Sequence, residues 1–230
     1  MMHDIEQIME TIGYHFHNTD LLEQAFMHSS CINERKLNRT ECYERLEFLG
    51  DAVLELITSE ELYRRFPDKR EGELTKLRAS LVCEYCLAEC SRELHYPEFV
   101  MLGKGERQSG GADRDSILCD LFESVLGAIY LDGGMEPARK YVQHFLLEDM
   151  EHKRLFFDAK TNLQELVQKH DYGAIRYELY DTKGPEHDKH FYVQLYLGDT
   201  PYEKSEGHSI KDAEQKAAYK TLLLLTDQEG

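Results

Sequence analysis

Two short stretches of this chain concentrate carboxylates at helical spacing. In "ERLEFLGDA", Glu44, Glu47 and Asp51 stand at positions i, i+3 and i+7, so a helix places them on one face, within about 60° of one another. In "SILCDLFESVLGAIYLDGG", Asp120 and Glu123 stand at i and i+3. Like charges at such spacings repel one another and destabilise a helix. A sequence selected for stability alone would avoid both arrangements.

If two such helices lie side by side, their carboxylates converge and require a counter-charge. A set of oxygen ligands without His or Cys favours Mg²⁺ or Mn²⁺ over Zn²⁺. Mg²⁺ held by few carboxylates retains several waters, one of which can attack a phosphate. The pattern therefore predicts metal-dependent phosphodiester hydrolysis. The alternative is a solvated helix face, since the chain has 44 acidic residues and acids opposite an apolar stripe are usually solvated.

Apolar residues at a period near 3.6 predict the helices that carry these carboxylates. The first helix runs from Glu44 to Phe66, and Pro67 stops it. Its predicted core-facing residues are Leu46, Leu49, Val53 and Leu56. Those of the second helix are Leu118, Phe122, Val125 and Ile129. The small residues Gly50, Ala52 and Gly127 beside the carboxylates favour a close approach of the two helices.

A change in the residue pattern along the sequence predicts two domains. Residues 1–151 show helical patterns and no strand signal, with a Gly- and Ser-rich loop at 102–116. Residues 152–157 are a mixed, linker-like stretch. Residues 158–230 predict a helix, three alternating tyrosine-rich strands and a closing helix. We therefore expect an all-α domain followed by a small α+β domain with helices on one face of an antiparallel sheet.

Composition limits the possible partners and compartments. The chain has 230 residues, of which 41% are hydrophobic and 31% charged, as in globular proteins. No apolar run is long enough to span a bilayer and no secretory signal pattern is present, so a cytoplasmic protein without membrane association is expected. The net charge of −17 argues against nucleic acid as a partner unless local patches act independently of it.

The six cysteines are expected to be unpaired core residues of a protein in a reducing compartment. Cys83, Cys86 and Cys90 have a spacing that occurs in zinc sites. A zinc site would want a fourth ligand nearby and turn residues between the cysteines. The surrounding "SLVCEYCLAECSREL" is instead a helical pattern, so we expect these three side chains to line one buried stripe.

The motifs themselves resemble those of one family. "ERLEFLGDA" and "SILCDLFESVLGAIYLDGG" are similar to the two acidic helices of ribonuclease III, and "FHNTDLLEQAFMHSS", "EGELTKLRASLV" and "GKGERQSGG" follow the same family in the same order. Residues 158–226 resemble the double-stranded-RNA-binding domain of its bacterial members. The resemblance implies a homodimer that cuts duplex RNA, including ribosomal RNA precursors, with Mg²⁺ or Mn²⁺. It also implies products with 5′-phosphate and 3′-hydroxyl ends and short 3′ overhangs.

Functional residues are implied position by position. The metal ligands would be Glu47, Asp51, Asp120 and Glu123, with Asp51 and Glu123 catalytic, Glu123 the most direct ligand, and Glu44 a supporting acidic residue. The RNA contacts would be Gln164, Glu165, His187, Lys211 and Lys216. Ile210 departs from the family, which often has a basic residue there. Residues 158–230 also carry nine basic against fourteen acidic side chains, which predicts weak, salt-sensitive binding.

Three alternatives remain at this point. An HD-type metal phosphohydrolase would use one of the three "HD" pairs, at His3, His170 or His187, but none lies in a long helix with a second histidine at ligand spacing. A Ser–His nucleophile at "FMHSS" would need the side chains of adjacent residues to converge, but adjacent side chains on a helix point apart. A catalytically silent RNA-binding or ribosome-associated scaffold would have the same architecture, but all four acidic positions are filled here.

Overall fold

The computed structural model describes residues 5–35, 38–148, 150, 155–156, 158–170, 172–184, 189–207 and 209–227. The chain divides into two compact units, Met1–Met150 and Glu151–Gly230. No helix in the described ranges combines the length and apolar character needed to cross a bilayer.

The first unit is helical, as predicted. Its ten α-helices within the described residues are α1 (Ile5–Ile12), α2 (Thr19–Ala25), α3 (Ile32–Arg35), α4 (Glu44–Arg65), α5 (Glu71–Leu81), α6 (Glu84–Glu93), α7 (Tyr96–Phe99), α8 (Lys104–Gln108), α9 (Asp115–Gly133) and α10 (Met135–Val142). One isolated bridge, between Met27 and Met101, is the only β pairing in this described region.

Local sequence explains where these helices begin and end. The Asn18 side chain caps α2 by accepting a hydrogen bond from the backbone N–H of Asp20. Helix α4 ends at Arg65, before Pro67, as the sequence predicts. The predicted loop at 102–116 is less irregular than expected, because it contains α8 and a 3₁₀ turn at Gly111–Asp113.

Helix α9 is the centre of the first unit. Its predicted core stripe of Leu118, Phe122, Val125 and Ile129 is fully buried. At its end, the Asp132 carboxylate accepts hydrogen bonds from the Tyr14 hydroxyl at 2.7 Å and from the backbone N–H groups of His17 and Asn18, both at 2.8 Å. These bonds attach the N-terminal segment to the helix that carries Asp120 and Glu123.

The second unit has the predicted α-β-β-β-α order: α11 (Ala159–His170), β1 (Ile175–Lys183), β2 (His190–Leu197), β3 (Thr200–Gly207) and α12 (Ile210–Asp227). The sheet is antiparallel in the order β1-β2-β3. Alternating residues of β2, including Leu195 and Leu197, are buried against Leu163 of α11 and Ala217 of α12. A separate core therefore holds this unit together.

Three details differ from the sequence predictions. Leu56, expected in the core stripe of α4, is 55% exposed. Cys83 does not belong to a buried stripe with Cys86 and Cys90, because it is the residue that precedes α6. Phe156, expected in the linker, is buried, and its ring packs edge-on against Tyr219 of α12 at 5.3 Å between centroids.

Candidate active site

Helices α4 and α9 pack unusually closely at two glycines. A Cβ atom placed on Gly50 would lie 1.8 Å from the carbonyl oxygen of Glu123, and one on Gly127 would lie 2.2 Å from that of Leu46. Only hydrogen as a side chain permits this approach. The prediction from Gly50 and Gly127 is confirmed, whereas Ala52 is exposed and takes no part in the crossing.

We expect Gly50→Ala to destabilise the first unit by about 3 kcal/mol, because the added methyl group meets backbone rather than a movable side chain. In a chain of this size the melting temperature should fall by about 10 °C. Gly72→Ala is the matched control, since no described atom lies within 4 Å of a Cβ there and the helix should become slightly more stable. A Gly50→Ala protein as stable as the wild type would contradict the described crossing.

The crossing brings the carboxylates of both helices into one electrostatic group. Burial raises the pKa of Glu47 to about 7, and the charges of Asp120, Glu44 and Asp51 add to the effect. Burial likewise raises the pKa of Glu123 to about 8, with contributions from Asp51, Asp120 and Glu47. The predicted convergence of the two acidic helices is therefore present, and Glu44 and Asp51 lie at its exposed side.

A tighter group lies on α9 itself. Among the described residues, potential ligand atoms of Cys119, Asp120 and Glu123 all lie within 4.8 Å of one another. Glu47 and Asp51 are outside that spacing. The Tyr43 hydroxyl donates a hydrogen bond to Asp120 Oδ2 at 2.9 Å, which fixes the direction of this carboxylate.

Two neighbours of the carboxylates, Tyr43 and Cys119, are not predicted from the sequence. Tyr43 immediately precedes the first acidic helix, and nothing in its position marked it as a partner of Asp120. Cys119 could have been found from its i, i+4 spacing to Glu123, which places both side chains on one face of α9. Cys119 therefore lies beside two of the predicted ligands, and the predicted set of oxygen ligands stays a prediction.

The donor set fits a hard divalent cation. Burial and the nearby charges of Glu123 and Asp120 raise the pKa of the Cys119 thiol far above its ordinary value, so the thiol stays neutral at physiological pH. The oxygen donors remain, and a bound cation of charge +2 would offset the burial and the mutual repulsion that raise the pKa values of Glu47 and Glu123. Mg²⁺ and Mn²⁺ match this chemistry.

Four of the five RNA-contact residues predicted in the second unit lie on its two helices. Gln164 and Glu165 are exposed on α11, and Lys211 is exposed in the first turn of α12. Lys216 lies one turn further and pairs with Asp212 at 3.1 Å. His187 lies outside the described residues.

Comparison with known proteins identifies both units. A family model described as ribonuclease-III-like matches residues 18–150, and one described as a double-stranded RNA binding motif matches residues 159–225. Ribonuclease 3 of Desulforamulus reducens is 48% identical over 210 residues, which are 90% of this chain and 85% of that protein. The chain belongs to the ribonuclease III family. Ribonuclease 3 of Enterococcus faecalis is 44% identical and covers 94% of this chain and 95% of its own length.

A solved structure supports the fold of the ribonuclease III unit. The nuclease domain of ribonuclease III from Campylobacter jejuni aligns with 63% of this chain and 97% of its own length, with 36% identity and a TM-score of 0.59. That structure is described as showing flexibility in a region involved in dimer formation. The predicted family, the two-part fold and the assignment as a ribonuclease III enzyme with a double-stranded-RNA-binding domain are confirmed.

The raised carboxyl pKa values predict an unusual pH dependence of stability. The pKa of Glu123 rises from 4.5 to about 8, so between these values the folded chain holds a proton that the unfolded chain has lost. Stability should therefore fall as pH rises through this window. Without divalent cations at pH 8.5, Glu123→Gln should melt higher than the wild type by about 2–4 °C, the shift that 1 kcal/mol gives in a chain of this size.

Melting curves at pH 5 and pH 8.5 in the presence of a chelator measure this difference. It should shrink at pH 5, where the wild-type carboxyl is already protonated. The exposed Glu10→Gln serves as the control and should melt with the wild type at both pH values. If the wild type is more stable than Glu123→Gln at pH 8.5, burial and the neighbouring charges do not raise the pKa of Glu123 in the folded protein.

Proposed function

We propose that this protein is an Mg²⁺-dependent endoribonuclease that hydrolyses double-stranded RNA, with Mn²⁺ as a substitute cation. The observation that carries the proposal is the convergence of carboxylates from α4 and α9 across a glycine crossing, at a cost in repulsion that a cation would offset. The double-stranded-RNA-binding motif over residues 159–225 supports the substrate class.

Each residue of the site has a role in this proposal. Asp120 and Glu123 form the part of the ligand set that α9 brings together, and Glu47 and Asp51 complete it from α4. A bound Mg²⁺ would supply an activated water and stabilise the charge that develops on the phosphate. Tyr43 holds the Asp120 carboxylate in place.

The catalytic pair and the supporting acid complete the assignment. We assign Asp51 and Glu123 as the catalytic residues, as the family resemblance implies, and the charge of Asp51 contributes to the raised pKa of Glu123. Glu44, exposed at the edge of the group, supports the ligands electrostatically. Attack by water on phosphorus, with departure of the 3′ oxygen, gives 5′-phosphate and 3′-hydroxyl ends with the short overhangs that the family implies.

We propose further that the enzyme is a homodimer joined through α4. Phe48, Leu56 and Tyr63 are 79%, 55% and 74% exposed, and their spacing places them within about 80° of one another on this helix. Beside Leu56 and Tyr63 lies a groove that Leu62 and Leu74 also line. Exposed apolar stripes of this kind mark interaction sites. A two-fold pair of copies would supply one acidic site for each strand of a duplex.

The second unit would hold the duplex through its shape and phosphates. Double-stranded RNA displays 2′-hydroxyls and base edges in a wide minor groove, which Gln164 and Glu165 of α11 and His187 of the β1–β2 connection would contact. Lys211 and Lys216 would bind the phosphates that lie between two successive minor grooves, and the backbone N–H groups at the N-terminus of α12 would also attract these phosphates. We propose that the nuclease domain comprises residues 1–151 and the RNA-binding domain residues 158–230. We also propose that the enzyme processes ribosomal and other structured RNA precursors in the cytoplasm.

We expect Ile210→Lys to tighten binding of duplex RNA without changing the cleavage positions. Ile210 is the first residue of α12 and is 42% exposed, so a lysine can reach outward beside Lys211. One added phosphate contact should steepen the dependence of log affinity on log salt by about 0.7–0.9. Affinity across a salt series measures this slope, and a melting curve checks that the variant is folded.

Leu224→Lys is the matched control for Ile210→Lys. Leu224 is 39% exposed near the other end of the same helix. A lysine at this position therefore adds the same charge as Ile210→Lys, but away from the proposed phosphate contacts. Its slope should equal that of the wild type. An unchanged slope for a folded Ile210→Lys protein would mean that this helix start does not face RNA.

The substrate class is tested with one nucleotide sequence prepared as an RNA duplex, as a single RNA strand and as a DNA duplex. The enzyme with Mg²⁺ should cut a long RNA duplex and leave the separated RNA strand and the equivalent DNA duplex intact. Binding to the RNA duplex with no cleavage under any metal condition would favour the silent scaffold instead. Equal cleavage of single-stranded RNA would contradict the proposed specificity.

A further inference from the structure

The Cys-x-x-Cys pair at the start of α6 has no part in the proposed nuclease chemistry. Cys83 immediately precedes α6 and Cys86 lies in its first turn. Their sulfur atoms converge on one acceptor, the carbonyl oxygen of Ser80, which lies 3.5 Å from the Sγ of Cys83 and 3.3 Å from that of Cys86. The Cys86 thiol is also within hydrogen-bonding distance of Cys83, so the two sulfur atoms are neighbours.

The two thiols differ in access. Cys83 is half-buried, whereas Cys86 is only 1% exposed. All six cysteines, each of which lies in a described range, are thiols. The first attack on any external reagent must therefore come from Cys83, and Cys86 can act only on a partner already attached to it.

The surroundings activate Cys83 relative to other cysteines of this chain. The single hydrogen of the Cys86 thiol can turn from the Ser80 carbonyl to Cys83. This hydrogen bond, together with backbone N–H groups at the helix start, lowers the pKa of Cys83 against the opposing effect of burial. Burial instead raises the pKa of Cys31 and Cys42. The lowered pKa favours the thiolate form of Cys83, which is the nucleophile in thiol–disulfide exchange.

We propose that Cys83 and Cys86 form a redox-active dithiol that low-molecular-weight disulfides oxidise reversibly to an intramolecular disulfide. The Cys83 thiolate attacks one sulfur of the external disulfide, and the other sulfur leaves with the electron pair and takes a proton. Cys86 then loses its proton, attacks the Cys83 sulfur and releases the second external thiol. One external disulfide is reduced to two thiols while two protein thiols become one disulfide.

Oxidised glutathione tests the proposal on the full-length native protein. After incubation, the remaining thiols are blocked with N-ethylmaleimide and the intact mass is measured. We expect the loss of two blockable thiols with no retained glutathione, and full reversal by dithiothreitol. Proteolysis after Glu84 and Glu89 separates Cys83, Cys86 and Cys90, so the expected Cys83–Cys86 link can be distinguished from one to Cys90.

Single substitutions separate the two roles. Cys86→Ser should retain a stable glutathione adduct on Cys83, because no second thiol resolves it, and Cys83→Ser should give neither adduct nor disulfide at this segment. Cys31→Ser is the matched control and should oxidise like the wild type. A lasting adduct on wild-type Cys83, a disulfide mapped to another pair, or no oxidation of the folded protein would each overturn the proposal.

Discussion

Glu123→Gln should abolish cleavage of duplex RNA while leaving its binding nearly intact. The substitution keeps the size of the side chain but removes one negative charge from the group formed by α4 and α9, and with it affinity for the cation. Removing one group that stabilises transition-state charge typically costs at least about a hundredfold in rate. Binding should change little, because the proposed RNA contacts are residues of the second unit, which the substitution does not alter.

Cleavage with Mg²⁺ and binding with Ca²⁺ give the two readouts for this variant. Ca²⁺ should support binding but little cutting, because its looser coordination positions the attacking water poorly. Glu10→Gln, an exposed glutamate on α1, controls for the loss of one charge and should cut like the wild type. Full activity of Glu123→Gln would remove this residue from the chemistry.

Phe48→Asp should convert the enzyme to a folded monomer that cuts duplex RNA at least about ten times more slowly. Phe48 is 79% exposed on the same helix as Glu47 and Asp51, so a charge there should not disturb the core. It would, however, place a carboxylate in the proposed apolar interface with a second copy, where an unpaired buried charge costs several kcal/mol. Sedimentation or light scattering at assay concentration measures the oligomeric state.

Phe48→Leu is the matched variant, since it keeps an apolar side chain at the same position. It should remain dimeric and active, and both variants should melt close to the wild type after correction for dissociation. If Phe48→Asp stays dimeric at the same concentration, the exposed stripe on α4 is not the interface. Monomers that cut at the wild-type rate would show that pairing is unnecessary for activity.

The sequence was most informative where one physical requirement left few residue choices. Gly50 and Gly127 are needed because two backbones approach each other more closely than any side chain permits. The acidic spacing on α4 and α9 was visible for a similar reason, since helical periodicity alone fixes which carboxylates share a face. Pro67 and the Asn18 cap likewise act locally, so their effects could be predicted without the tertiary structure.

Features that depend on packing between elements could not be predicted in the same way. Leu56 continues the apolar period of α4, but the buried face of this helix is centred on Leu54 and Ile57, and Leu56 lies outside it. The bond from Tyr43 to Asp120 joins residues 77 positions apart. Cys83 continues a helical pattern in the sequence, but the helix is interrupted between the end of α5 and the start of α6. Cys83 therefore lies at the start of a helix and not in the core.

The most direct test of the metal-dependent nuclease site is the end chemistry of the cleavage products. A long, fully paired RNA is incubated with the chelator-treated wild-type enzyme, with and without added Mg²⁺, and the product ends are determined. We expect no cutting until Mg²⁺ is added, and then 5′-phosphate and 3′-hydroxyl ends, because an activated water attacks the phosphate. Cleavage without a divalent cation would contradict the proposed metal dependence. Products ending in a 2′,3′-cyclic phosphate would show that the RNA's own 2′-hydroxyl is the nucleophile, and would contradict the proposed site.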